Sequence, residues 1–171
     1  MRHLRAILLL PGMATVVVPA LIVLSTGQIA VGWGLSFPYR IVPALLGAAL
    51  VATGLALMVG TVRLFATVGQ GTLAPWDPPA RLVVRGIYRH VRNPMISGVV
   101  FVLFGEAALL GSLPVLLWCA VFFAGNAIYI PLMEEPGLAR RFGADYARYR
   151  THVPRWIPRA TPWEGADGDD C

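Results

Sequence analysis

The chain contains no lysine; all 14 of its basic side chains are arginine. Charge of any kind is scarce, at 13% of 171 residues, against about 25% in soluble domains. So little charge excludes an ordinary soluble domain. Two cysteines are too few for a disulfide-stapled secreted module, and a hydrophobic share of 57% is too high for a disordered chain. Neither His90 nor His152 has a second ligand at zinc-site spacing, so no metal is expected. Cys171 is the final residue and does not match a prenylation signal, which needs cysteine fourth from the end. What is present is apolar and helical in length, which points to a small integral membrane protein.

Four runs are long enough to cross a bilayer, where about 20 residues, range ~17 to 25, span the hydrocarbon. Ala6 to Leu24, Ile41 to Val62 and Leu113 to Met133 lack charge, and Pro94 to Gly111 carries one carboxylate, Glu106. The expectation is an all-α integral membrane protein with about four transmembrane helices, a cytoplasmic loop and an amphipathic C-terminal helix. The first run, preceded by Arg2 and Arg5, is read as a retained anchor, because it is longer than a signal-peptide core and no small-x-small site follows. Spans three and four are joined only by Gly111 and Ser112 and should form an antiparallel hairpin. In span two, Ala48, Ala52 and Ala56 share a face near Gly47 and Gly54, a spacing that lets helices pack closely.

The arginines set the expected orientation. Arg2 and Arg5 precede span one, Arg63, Arg81, Arg85, Arg89 and Arg92 lie between spans two and three, and Arg140, Arg141, Arg148, Arg150, Arg155 and Arg159 follow span four. Arg40 alone lies on the other side. By the positive-inside rule both termini and the central loop face the cytoplasm, in the inner membrane if the source is bacterial. The basic face suits anionic lipid headgroups. The lipid bilayer is therefore the expected partner, and no nucleic acid is.

Two polar stretches on that side are organised enough to carry chemistry. The first runs from Phe65 to Asn93, includes the rigid Pro75-Trp76-Asp77-Pro78-Pro79, and ends at Asn93-Pro94, where asparagine can cap a helix and proline can open it. That helix start could receive an anionic or polar group, or could simply be a cap. The second places Leu138, Phe142, Tyr146 and Tyr149 at helical spacing, as in an amphipathic helix at a membrane surface. It begins with Glu134 and Glu135, and carboxylates so near hydrocarbon call for partners. One of the two is expected to pair with an arginine of the central loop. Glu106 is either functional or bonded to a neighbouring helix, such as the one carrying Asn126. Residues 159–171 read as a disordered tail.

Gly86-Ile87-Tyr88-Arg89-His90-Val91-Arg92-Asn93-Pro94-Met95, a helical hairpin, Glu134-Glu135-Pro136-Gly137-Leu138, Phe142-Gly143 and Val153-Pro154-Arg155-Trp156-Ile157-Pro158 together resemble the isoprenylcysteine carboxyl methyltransferase and phospholipid methyltransferase superfamily. The resemblance covers roughly Trp76 to Pro158. It implies two N-terminal spans over 1–64, a methyltransferase-like core over 65–158, and S-adenosylmethionine as cofactor with a lipophilic methyl acceptor. It also implies that Leu82, Val83, Tyr88, Asn93, Pro94, Met95, Ile96, Glu134 and Glu135 surround the cofactor, Glu134 holding a polar part of it. No catalytic base is implied. Asn93 stands where the eukaryotic enzymes have histidine. Ile130 stands where their carboxyl methyltransferases have the arginine that meets the substrate carboxylate, and amine headgroup, thiol, carboxylate and quinone-like lipid all stay open as the acceptor.

Two other classes are kept open: a non-catalytic membrane protein of the same fold that binds lipid or a partner, and a sterol-type reductase. The expected geometry is specific. Tyr88, Asn93 and Glu134 should border one cytoplasmic pocket, with Glu106 far from it near the outer end of span three.

Overall fold

The computed structural model describes residues 8–69 and 82–165; Arg2, Arg5, the Pro75–Pro79 piece, Arg81 and the last six residues of the expected tail lie outside them. The described residues are helical, with no strand among them. A π-helical stretch, Leu8–Val17, runs into α1 (Val18–Thr26); α2 (Ile41–Leu64), α3 (Pro94–Leu110) and α4 (Leu113–Tyr129) follow. A π-helical turn, Ile130–Glu134, joins α4 to α5 (Glu135–His152). By length and composition, two helical stretches, Ile41–Thr67 and Leu113–His152, could cross a membrane, while Pro11–Thr26 and Pro94–Leu110 are shorter. Leu45 and Leu46 of α2 and Leu117 and Val121 of α4 are exposed. Such faces find no cover among the described residues and suit a hydrocarbon surround.

Helix α3 is central, and Val99 and Leu103 are fully buried among Ala14, Cys119 and neighbours. Its contact with α2 rests on glycine. A Cβ at Gly54 would stand 2.5 Å from the Gly98 carbonyl oxygen, and one at Gly105 would stand 2.7 Å from that of Gly47. Two antiparallel backbones thus touch at paired glycines seven residues apart, close approach being what small residues permit in membrane helices. Gly47, Gly54 and Thr61, all buried, form the packing stripe. Ala48, Ala52 and Ala56, which alanine spacing alone suggests as the packing face, are exposed. The correction is physical: only glycine admits contact this close.

The hairpin of α3 and α4 forms as expected. Gly111 at φ 60° makes its turn, a conformation without steric cost only for glycine. Pro131 lies inside the π turn after α4; lacking an N–H, it cannot complete the ordinary helical ladder. The chain therefore continues from α4 into α5 without a connecting loop. The break comes later, at Gly143 (φ 53°, ψ −126°). Asn126 donates to the Phe122 carbonyl at 2.8 Å, and no hydrogen bond joins it to Glu106 among the described residues. One carboxylate oxygen of Glu106 is buried without a hydrogen-bond partner.

Candidate functional site

The loop before α3 is built onto two surfaces. Beneath it, Gly86 packs on Leu64 at the end of α2, and the Tyr88 ring lies 5.6 Å from that of Phe65, centroid to centroid. Beside it runs the segment after α5. Tyr149 donates its hydroxyl to the Tyr88 carbonyl at 2.7 Å, and Leu82 and Val84 pack on the buried Tyr146, Tyr149 and Val153. Arg89 Nε donates to the Trp163 carbonyl at 2.7 Å, and the Trp163 and Arg159 backbone amides donate to the carbonyls of Arg89 and His90 at 2.9 and 3.1 Å. Residues 159–165, expected as the start of a disordered tail, are therefore tied to the loop. On their side these bonds to the loop use the backbone groups of Arg159 and Trp163, which leave no trace in the side-chain pattern.

The paired glutamates have opposite surroundings. Glu135 is buried, and its Oε1 accepts Arg92 Nη1 and Arg155 Nε, both at 2.7 Å. Arg150 stands 3.7 Å from its other oxygen. Burial alone would raise the Glu135 carboxyl, but the bonds from Arg155 and Arg92 overcome it and hold the group below the usual value. Arg92 is further spent on the Val153 carbonyl at 2.8 Å. This is the expected ion pair between a glutamate and a central-loop arginine, extended into a hub that joins loop, α5 and the following segment.

Glu134 has no such partner among the described residues. It is exposed at its surface, yet the protein around it, and then the Glu135 charge, push its carboxyl above the ordinary range. The nearby Tyr88 phenol is buried; desolvation raises it most, followed by the charges of Tyr149 and Glu134. The Thr61 hydroxyl of α2 is fully buried beside it, close enough to oppose that shift slightly. It forms no hydrogen bond among the described residues.

Glu134 thus lies near enough to Tyr88 for its charge to act on the phenol. Asn93 occupies the N-cap of α3, but its side chain makes no capping bond; its carbonyl instead accepts the Ser97 amide and Oγ, both at 3.1 Å. Pro94 borders a separate apolar cavity of about 200 Å³. Met95 and Val83 are buried and Ile96 is half-buried. Tyr88, Asn93 and Glu134 are not among the residues that line that cavity. Ile130 is 1% exposed, so the place of the absent arginine is filled by core packing. Thr61 is the site-facing residue that motif reading passes over, although its seven-residue spacing from Gly54 marks its face.

Among protein families, the phospholipid methyltransferase model matches residues 42–145. The match takes in α2 with Thr61, the loop with Tyr88, the hairpin and both glutamates. No curated protein and no solved structure matches the chain.

Proposed function

The chain belongs to the phospholipid methyltransferase family, and from that premise we propose that it transfers a methyl group from S-adenosylmethionine to a lipophilic acceptor within the membrane. The observation that carries this reading is the family match over residues 42–145, which takes in both motifs, and it is supported by Glu134 lying near enough to Tyr88 for its charge to act on the phenol. The residues fit such a cofactor. A carboxylate without an arginine partner among the described residues suits a positively charged ligand group, and the unpartnered Thr61 hydroxyl offers a further polar contact. When bound, S-adenosylmethionine supplies a methyl group on a sulfonium, open to in-line displacement.

In this reading Glu134 and Tyr88 orient the polar part of the cofactor, Asn93, Pro94, Met95 and Ile96 bound its other side, and Leu82 and Val83 back the loop. Glu135 serves by fixing Arg92, and through it the loop. These residues position and exclude water, contributions that suffice for a displacement needing no base when the acceptor arrives unprotonated. The four helices are taken as four spans, with both termini and the loop cytoplasmic, so that a charged cofactor arrives from water and the acceptor from the bilayer.

The test is thermal stability of the purified protein with S-adenosylhomocysteine. A ligand that binds the folded state alone raises the midpoint by mass action. A saturable rise is expected; no shift at millimolar ligand counts against the reading.

A further inference from the structure

Residues 27–40, between α1 and α2, close the end of the molecule opposite the Tyr88 loop. Their composition is unsuited to water, because Arg40 is the one charged residue among them. Val31 and Phe37 are 74% and 70% exposed, and Ile29, Leu35 and Tyr39 are exposed as well. Exposed apolar side chains gathered in this way mark a surface that meets a membrane or a partner.

The segment cannot fold these side chains away, because it is fastened to the α3–α4 hairpin. The Ala30 amide donates to the Leu110 carbonyl at 2.9 Å, and Trp33 Nε1 donates to the Ala108 carbonyl at 3.1 Å. A Cβ at Gly111 would collide with the Ala30 carbonyl oxygen. The hairpin turn therefore lies directly beneath the segment, and Ser112 in that turn is fully buried. Trp33 holds φ 57°, a conformation costly for a bulky side chain, which persists only where the surroundings over-determine it. Arg40 lies with its guanidinium 5.8 Å from the centre of the Phe37 ring.

Length sets the level of the segment in the bilayer. Helix α3 has 17 residues, about 25 Å at ~1.5 Å per residue, less than the ~30 Å of hydrocarbon. With Pro94 at one boundary the hairpin turn stops short of the other, and residues 27–40 stand in the remaining depth. Irregular backbone facing lipid is not tolerated within the hydrocarbon itself, which excludes a deeper seat. An arginine, which matches phosphate, beside tryptophan and tyrosine over apolar neighbours is what the headgroup boundary receives.

We propose that residues 27–40 form a rigid anchor seated in the headgroup boundary of the leaflet opposite the Tyr88 loop, with Val31 and Phe37 against the acyl chains, and that this anchor fixes the depth of the α3–α4 hairpin. The inference rests on the reading of the helices as spans and is independent of methyl transfer.

The test is nitroxide labelling of the full chain carrying Cys171→Ser, in vesicles of three parts phosphatidylcholine to one part phosphatidylglycerol; Cys119 is buried. At Phe37→Cys, and again at Val31→Cys, the ratio of collisions with oxygen to collisions with a water-soluble nickel chelate should exceed that of the nitroxide free in buffer at least threefold. Leu45→Cys, on the exposed face of α2, reports the hydrocarbon and should give a higher ratio still. Val31→Ser combined with Phe37→Ser should raise chelate contact at Leu113→Cys, beside the turn, at least twofold. Ratios at Phe37 and Val31 no higher than in buffer, with Leu45 protected, would overturn the anchor and leave the spans; buffer-like ratios at all three would remove both. Unchanged contact at Leu113 in the double-serine chain would overturn the fixing of depth. Protected labels in a parent that does not bind S-adenosylhomocysteine would support the anchor and remove the cofactor reading instead.

Discussion

Glu134 and Glu135 are adjacent in sequence and opposite in role. Sequence reasoning sees that two carboxylates near hydrocarbon need partners; it cannot see which one the π turn directs toward Arg92 and Arg155, because that depends on helix register. Glu135→Gln leaves those arginines without their counter-charge, and breaking a buried pair costs ~3–5 kcal/mol. The lower end is expected here, because Arg155 and Arg150 retain solvent. Chemical denaturation should show it. The Glu135 carboxyl is lowered in the folded state, so its contribution is complete above the ordinary glutamate value of ~4.3 and is lost as pH falls from there through the lowered folded value. That acid loss should be present in the parent and missing in Glu135→Gln. Glu134→Gln should behave differently, keeping the midpoint while weakening S-adenosylhomocysteine ~10-fold or more, as a charge-assisted bond of about 1.5–3 kcal/mol implies. Because the Glu134 carboxyl is raised, calorimetry of the parent should show affinity falling on acidification before the ordinary carboxylate range is reached, a dependence absent from Glu134→Gln.

At the scale of elements, the helices and the α3–α4 hairpin are legible because apolar length and a two-residue link leave few alternatives. The face of α2 is less so. Alanine and glycine both read as small, and only the meeting of Gly54 with Gly98 and of Gly47 with Gly105 shows that backbone contact decides the register. Gly54→Ala forces a Cβ against a carbonyl oxygen 2.5 Å away, and overpacking of this kind costs ~1–3 kcal/mol. Gly60→Ala, on the same helix with no neighbour within 4 Å, should be neutral or gain the ~0.5–1 kcal/mol that alanine brings to a helix interior. Thermal midpoints of the two variants in detergent should therefore move apart, with Gly54→Ala the lower. Equal midpoints would show that α2 and α3 are not in this register.

For the whole molecule, the sequence reveals the two motifs and their order but not the device that joins them. Trp163, Arg159 and Pro154 reach back to Arg89, His90 and Arg92 largely through backbone bonds, and no side-chain period announces them. The molecule is thus a central helix, α3, packed against glycine on one side and its hairpin partner on the other, with the loop clasped at one end between α2, α5 and the C-terminal segment. Removing residues 153–171 should release the loop, and limited proteolysis should then cut between Leu82 and Asn93 at least tenfold faster than in the full chain. In the proposed function, this clasped end of the molecule transfers a methyl group to a membrane acceptor. Membranes containing the protein, given S-adenosylmethionine labelled in its methyl group, test it most directly. Label should pass into the organic-extractable lipid fraction and fall at least tenfold in folded Glu134→Gln at limiting cofactor. Lipid labelling no higher than in membranes lacking the protein, or equal in parent and Glu134→Gln, would contradict the account.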